Sequence, residues 1–250
     1  AVELRKPLVT VLMSKLRGPF QDLDISGEAD TLSFNLTQPL VATRRWLVTA
    51  AASYSQTDST TDAADFRISE SETQQISGGF TVEKSGDHHR ASLTQTLSNV
   101  HAEETLEAED DFLIYDAQLS YLQLFGSSPY SLLFQAGGQY AESDLIPAVS
   151  LFQIGGVTSV RGYELGVLSG PRGYYGQLEL HRRFGGTLDG FLFVDHGQIY
   201  SAFPRNVSIS AAGAGFLRSL RCHPPLSLVE HGFCEAVYLH TQMGRPRLRR

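Results

Sequence analysis

The chain has 250 residues, 42% of them hydrophobic, and a formal net charge of −7; residues 1–150 carry 9 Lys and Arg against 21 Asp and Glu, residues 151–250 carry 11 against 6. An acidic body ending in Arg245, Arg247, Arg249 and Arg250 argues against a nucleic-acid binder, which needs a folded basic face with aromatics between the charges. No apolar run is long enough for a transmembrane helix, and 23 Gly, 10 Tyr and 14 Phe beside one Trp and two Met favour β structure.

The opening, AVELRKPLVTVLMSKLRG, lacks the charged, apolar and small-residue order of a signal peptide. From residue 31 onward, period-2 segments follow one another between polar turns. Residues 31–37 set Leu32, Phe34 and Leu36 against Thr31, Ser33, Asn35 and Thr37. Trp46, Val48, Ala50, Ala52 and Tyr54 oppose Thr49, Ala51, Ser53 and Ser55, and Ile76, Gly78, Phe80 and Val82 then oppose Ser77, Gly79, Thr81 and Glu83. After a Gly86-Asp87 turn, Ala91, Leu93 and Leu97 face away from Arg90, Ser92, Thr94 and Thr96. Leu113, Tyr115, Ala117, Leu119 and Tyr121 continue the pattern, as do Tyr130, Leu132, Phe134, Ala136 and Tyr140. Leu178, Leu180 and Phe184 oppose Gln177, Glu179, His181 and Arg183, and residues 209–215 close the series. Successive strand side chains point to opposite faces, so each segment is a strand with one apolar and one polar face.

Alternation does not say which face is inside. A soluble sandwich buries the apolar face; an outer-membrane barrel turns it to lipid around a wet lumen. Three details favour the barrel: apolar faces bounded by aromatics (Trp46 and Tyr54, Tyr130 and Tyr140, Tyr174 and Phe184), segments of roughly ten residues, and connections that alternate in length. The connections at 126–128 and 185–187 are short, whereas 58–65 and 101–111 read as long acidic external loops.

Residues 141–173 form a connection longer than an ordinary loop, and such loops are functional or disordered. Leu151, Phe152, Ile154, Val157, Val160, Leu165, Val167 and Leu168 give it much to bury, and Gly155, Gly156, Gly162, Gly166, Gly170 and Gly173 allow close packing. The alternatives are a loop tucked into the lumen and an exposed external loop. The next segment, FLFVDHG at 191–197, puts Leu192 and Val194 on the lipid side and Phe191, Phe193, Asp195 and Gly197 on the lumen side. A carboxylate facing lipid is costly, so Asp195 faces inward, either solvated or paired with a cation such as Arg161. The histidines (His88, His89, His101, His181, His196) lack metal-ligand spacing and read as solvated, and the acidic run at 103–111 lacks a Ca²⁺-loop register. No cofactor or metal site and no nucleophile–base pair stands out, so an enzyme is not expected.

Val160-Arg161-Gly162-Tyr163 in a long glycine-rich loop, followed by Phe193, Asp195 and Gly197 on a strand, resembles the two-partner secretion transporters of the ShlB/FhaC/HecB family. More loosely, it resembles the BamA-like outer-membrane assembly barrels. The resemblance covers about residues 15–218. It implies an all-β fold, an antiparallel transmembrane β-barrel of which about ten or eleven strands are present from an expected sixteen. It also implies a loop latch from Arg161 to Asp195, with Val160, Gly162, Tyr163, Gly155, Gly156, Phe193 and Gly197 supporting the motif. The implied function is export of one large β-helical exoprotein, a haemolysin or adhesin, from a monomeric barrel in the bacterial outer membrane. The partners are then that cargo and outer-membrane lipid, with no nucleic acid. The alternatives are a BamA-like assembly barrel and a soluble β-rich binding module.

Residues 1–218 are therefore expected to be a partial barrel with a lumen-folded loop at 141–173, and residues 219–250 an atypical non-barrel tail. The tail loses period 2, holds Pro224-Pro225 and ends in PRLRR, where family barrels close with an aromatic residue. Its composition suggests a fragment, a remnant or a shifted reading frame. Cys222 and Cys234 either pair in an oxidising periplasm or are incidental.

Overall fold

In the computed structural model, residues 8–20, 25–63, 66–104, 107–185, 188–200, 206–218 and 239–242 are described. Every alternating segment of the sequence is a strand. The first seven are β1 (Leu8–Phe20), β2 (Ile25–Ala42), β3 (Trp46–Ala63), β4 (Phe66–Ser85), β5 (His89–Glu104), β6 (Glu107–Leu124) and β7 (Tyr130–Ala141). The long connection follows, with a 3-10 turn at Ala148–Ser150 and two short strands, β8 (Phe152–Ile154) and β9 (Leu168–Gly170), which pair with each other. Then come β10 (Arg172–Gly185), β11 (Leu188–Tyr200), β12 (Val207–Arg218) and β13 (Leu239–Gln242).

Apart from β8 and β9, the strands form one sheet of 11 strands in chain order, from β1 to β13. Among the described residues β1 and β13 are its edges, so this antiparallel sheet is not closed. Its described pairings are antiparallel and almost unbroken; β3, for instance, runs from Trp46↔Lys84 to Ala63↔Phe66 against β4. This economy suits a sheet in lipid, where each backbone group must find its partner within the protein.

Three local findings depart from the sequence reading. Strand β1, LVTVLMSKLRGPF, has no clean alternation and is recognised by its register with β2, Leu8↔Thr37 to Phe20↔Ile25. The acidic segments at 58–65 and 101–111 are not long loops. Pairing continues to Ala63↔Phe66, and β5 runs to Glu104 with β6 resuming at Glu107. β geometry continues into both segments, so the strands of 16 to 20 residues outrun the roughly 9–11 that cross a bilayer. Finally, Leu239–Gln242, within the segment expected to lie outside the sheet, pairs with β12 from Gly213↔Gln242 to Phe216↔Leu239. Cys222 and Cys234 lie outside the described residues.

The chain divides into two compact units. The first comprises Ala1–Ser85, Ser92–Gln118 and Gly138–Phe152. On its apolar face Phe34, Leu36, Ile76, Phe80 and Leu97 are exposed. On the other face hydroxyls and amides bond across strands: Thr31 to Thr57 at 3.1 Å, Ser77 to Ser98 at 2.9 Å and Thr81 to Thr94 at 3.1 Å. Towards the long connection this polar face turns apolar. Val100, Ala102, Phe112, Ile114 and Ala141 are buried there, with Ile146 from the connection packed against them.

The second unit, Gly86–Ala91, Leu119–Gly137 and Gln153–Arg250, repeats the two-faced design. Leu178, Leu180, Leu192, Val194 and Phe216 are exposed on one face, while Gln177, Phe193, Asp195, Ile199 and Ile209 are buried on the other. The buried face is covered by the long connection, which sets the site described below. At the short-turn end, the Arg182 guanidinium lies 5.5 Å from the Tyr130 ring and 5.0 Å from that of Phe184. This aromatic edge is what a membrane interface selects.

If the exposed apolar face meets lipid, Leu132→Arg, Leu178→Arg or Leu180→Arg should each cost about 2–4 kcal/mol at the bilayer midplane and block membrane assembly. Gln135→Arg, on the polar face, should be tolerated. Outer-membrane fractionation and heat-modifiable migration measure both, and equal loss on the two faces would contradict the assignment.

Candidate functional site

The site is built by residues 153–173 of the long connection and by β10, β11 and β12, all within the second unit. The register fixes which side chains share its floor. Gln177 pairs with Asp195, Glu179 with Phe193 and His181 with Phe191 across β10 and β11. Directly paired residues share a face, so Gln177, Glu179, His181, Phe191, Phe193 and Asp195 form one surface. Gly197, two residues beyond Asp195, lies on it as well.

The loop folds onto that floor through local bonds of its own. The Ser159 hydroxyl accepts from the Gly155 N–H at 2.8 Å and donates to the Gly155 carbonyl at 2.9 Å, while the Gly156 N–H donates to the Tyr163 carbonyl at 3.1 Å. These bonds close a tight turn around residues 156–163. Gly162 has φ +87°, a conformation disfavoured for residues with a Cβ, and it turns the chain immediately after Arg161. Val160 and Ile154 are fully buried. A Cβ at Gly197 would stand 3.0 Å from both their terminal methyls, so that glycine is the bed on which the loop lies.

Arg161 is the centre of the site. Its backbone N–H donates to Asp195 Oδ2 at 3.0 Å, Nε donates to the same oxygen at 2.7 Å, and Nη2 donates to Oδ1 at 2.6 Å. Nη1 donates to Glu179 Oε1. The planar guanidinium thus grips Asp195 with two side-chain bonds and still reaches a second carboxylate, which an ammonium could not do with the same geometry. The guanidinium carbon also lies 3.9 Å from the centroid of the Phe193 ring. Asp195 is fully buried, and the side chains of Arg161 and Glu179 are 11% and 13% exposed. At such depth an unpaired carboxylate is expensive, whereas a paired and hydrogen-bonded one is tolerated.

The network continues past the guanidinium. Glu179 Oε2 meets His181 Nε2 at 2.6 Å, and the His181 ring stacks on Phe191 at 5.2 Å between centroids. Two further tethers hold the loop. Gln177 donates to the Val157 carbonyl at 3.2 Å, and the Tyr163 hydroxyl donates to the Ser210 carbonyl at 3.2 Å. The loop is therefore pinned to three successive strands.

The structure brings Arg161 and Asp195 together, with Val160, Gly155, Gly156, Gly162, Tyr163, Phe193 and Gly197 around them. Two residues require correction. Glu179 is more than a polar-face residue of an alternating strand; it is the second carboxylate on Arg161. His181 is not solvated, being half-buried between Glu179 and Phe191. Gln177 and Ser159, both buried, were not singled out by the sequence either. Counting back from the Gly185↔Leu188 pair would have set Glu179 opposite Val194, because the register shifts by one between Arg183 and Gly185, so the sequence carried no signal that Glu179 lies one same-face pair from Asp195. Among the described residues no three His, Cys, Asp or Glu side chains are grouped as metal ligands.

The profile of the family described as haemolysin secretion/activation protein ShlB/FhaC/HecB matches residues 12–216. Among curated proteins, the heme/hemopexin transporter protein HuxB of Haemophilus influenzae (strain 86-028NP) is 24% identical over 229 residues, covering 80% of this chain and 40% of that protein. Outer envelope protein 80, chloroplastic, of Oryza sativa subsp. japonica is 40% identical over 78 residues, or 31% of this chain and 12% of that one. Among solved structures, CdiB from Acinetobacter baumannii shares the fold with a TM-score of 0.61 at 21% identity, over 78% of this chain and 38% of that one. The chain thus spans less than half the length of these relatives. Because the family match runs from β1 through β12 and contains both the loop and the strands that hold it, this chain belongs to the ShlB/FhaC/HecB family, the outer-membrane β-barrel transporters of two-partner secretion.

Proposed function

We propose that this chain forms the pore wall of a transporter that exports one large β-helical exoprotein, of haemolysin or adhesin type, across the outer membrane without ATP. The connection at 141–173 folds into the lumen and gates it, and Arg161 is the bolt that fastens it to the wall at Asp195. The observation that carries this reading is the fully buried Asp195 carboxylate gripped by three hydrogen bonds from one loop residue. A loop held only for packing has no need of a buried charge; a loop that must stay closed until displaced is well served by a bond that is strong when made and hydrated when broken. The family is one of transporters, so no catalytic role is assigned to Glu179 or His181.

The latch is tested by a double-substitution cycle in the whole protein carrying these residues. Arg161→Ala and Asp195→Ala should each expose the loop to protease and reduce exoprotein in the medium. The cost of losing one partner lies between that of an exposed bridge, about 0.2–1 kcal/mol, and that of a desolvated one, about 3–5 kcal/mol. The double substitution should cost little more than either alone, because the residues act as a unit. Additive defects, or normal export and loop protection in Arg161→Ala, would refute the latch. A BamA-like assembly role is the second reading, since that superfamily shares the tetrad. It would be supported if loss of the protein depleted many outer-membrane proteins instead of one exoprotein.

Glu179 offers a separate check. Glu179→Gln keeps the shape of the side chain and one acceptor, and should weaken the loop by about 1–3 kcal/mol, the range for an impaired charged hydrogen bond. Glu179→Arg places like charge against Arg161 and should release the loop as fully as Asp195→Ala does. Trypsin cleavage after Arg161 in folded protein reports both, and wild-type protection in Glu179→Arg would remove Glu179 from the latch.

A further inference from the structure

The inner face of the second unit contains glycines whose side-chain space is taken by other residues. A Cβ at Gly213 would stand 2.8 Å from both Cε1 and Cζ of Phe193, and one at Gly215 would stand 2.5 Å from Cζ of Phe191. The register makes these meetings direct: Phe193 pairs with Gly213, and Phe191 with Gly215, across β11 and β12. Real Cβ atoms do not come so close to ring carbons. Each ring therefore reaches over the neighbouring strand into a space that only glycine leaves open.

The same two rings carry the two nitrogen groups that converge on Glu179. Phe193 lies under the Arg161 guanidinium, and Phe191 stacks on His181. Glycine inside a strand costs conformational entropy and forgoes packing, so two of them on one face of β12 require a compensating gain. Covering such glycines with aromatic rings from the adjacent strand is a known means of recovering it. Not every glycine here is used in this way: a Cβ at Gly176, on the opposite face of β10, would meet nothing within 4 Å.

We propose that Gly213 is a positioning residue of the latch. It sets how low the Phe193 ring lies, and the ring in turn sets where the guanidinium meets Asp195. The inference rests on the latch reading given above. A methyl group at 213 must displace the ring, and the guanidinium sits at 3.9 Å from that ring with its bonds to Asp195 already at 2.6 and 2.7 Å. Two side-chain bonds of that length require one plane and one distance, so a ring pushed into the guanidinium breaks the bidentate grip. Asp195 then remains in place without its partner correctly presented.

The test uses the whole protein purified in detergent, with the rate of trypsin cleavage after Arg161 as readout and heat-modifiable migration as the measure of folded protein. Gly213→Ala should raise cleavage by about tenfold in the folded fraction, as expected where overpacking favours local opening. Phe193→Leu should also raise it. The double variant Gly213→Ala/Phe193→Leu should cleave no faster than Phe193→Leu, because no ring is left to displace. Gly176→Ala should cleave at the wild-type rate, which separates this effect from a general intolerance of strand glycines to substitution. Wild-type protection in Gly213→Ala, or additive effects in the double variant, would overturn the proposal. Should Gly213→Ala fail to fold, Phe193→Leu in the same chain should restore folding, and failure to restore it counts against the proposal equally. Rapid cleavage in Asp195→Ala with full protection in Gly213→Ala would remove only the glycine's role; full protection in Asp195→Ala would remove the latch itself.

Discussion

A carboxylate with no access to water is the constraint around which the second unit is arranged. Asp195 is fully buried on the polar face of its strand, and a charge in that position needs an opposite charge delivered to it. Among the described residues no neighbouring strand supplies the cation; the long connection does, by bringing Arg161 down onto the sheet. What surrounds the pair follows from that delivery. Gly197 leaves room for Val160 and Ile154, Phe193 supports the guanidinium, and Gln177 and Tyr163 tie down the backbone on either side.

The choice of arginine over lysine is physical. One guanidinium makes two side-chain bonds to Asp195, a third to Glu179, and presents its flat face to an aromatic ring. A lysine has a single point charge and no plane to stack. Two carboxylates around one cation leave an excess of negative charge, and His181 sits beside Glu179 as the remaining donor. The result is a connected row of groups, each oriented by the next, whose members respond together when one is altered.

The sheet itself is governed by a different requirement. Its strands must satisfy their backbone groups within the protein while presenting one face to hydrocarbon and the other to a polar interior. That explains both the near-continuous registers and the contrast between exposed Leu, Phe and Val on one side and hydroxyl pairs on the other. Where the connection covers the polar face, the rule reverses locally and Val100, Phe112 and Ile114 are buried there. The face turns apolar where protein replaces water.

Much of this was determined by the sequence alone. Period 2 is a property of the strand and is read without any partner, so the sheet strands from β2 to β7 and from β10 to β12, and the side of Leu192 against that of Asp195, were legible in advance. The loop tetrad and the carboxylate were legible too, because few residue types can place a charge inside an otherwise apolar segment. The tertiary structure decided what depends on pairing. Strand β1 lacks alternation and is recognised only against β2. The acidic residues 58–63 and 101–104 proved to be strand, continuous with β3 and β5, since β geometry persists there beyond the alternating stretch. Glu179 and His181 looked like ordinary polar residues of an alternating strand until the β10–β11 register set them beside Phe193 and Phe191, within reach of a loop residue 18 positions away from Glu179. Periodicity tells which way a side chain points; only the folded sheet decides what it meets there.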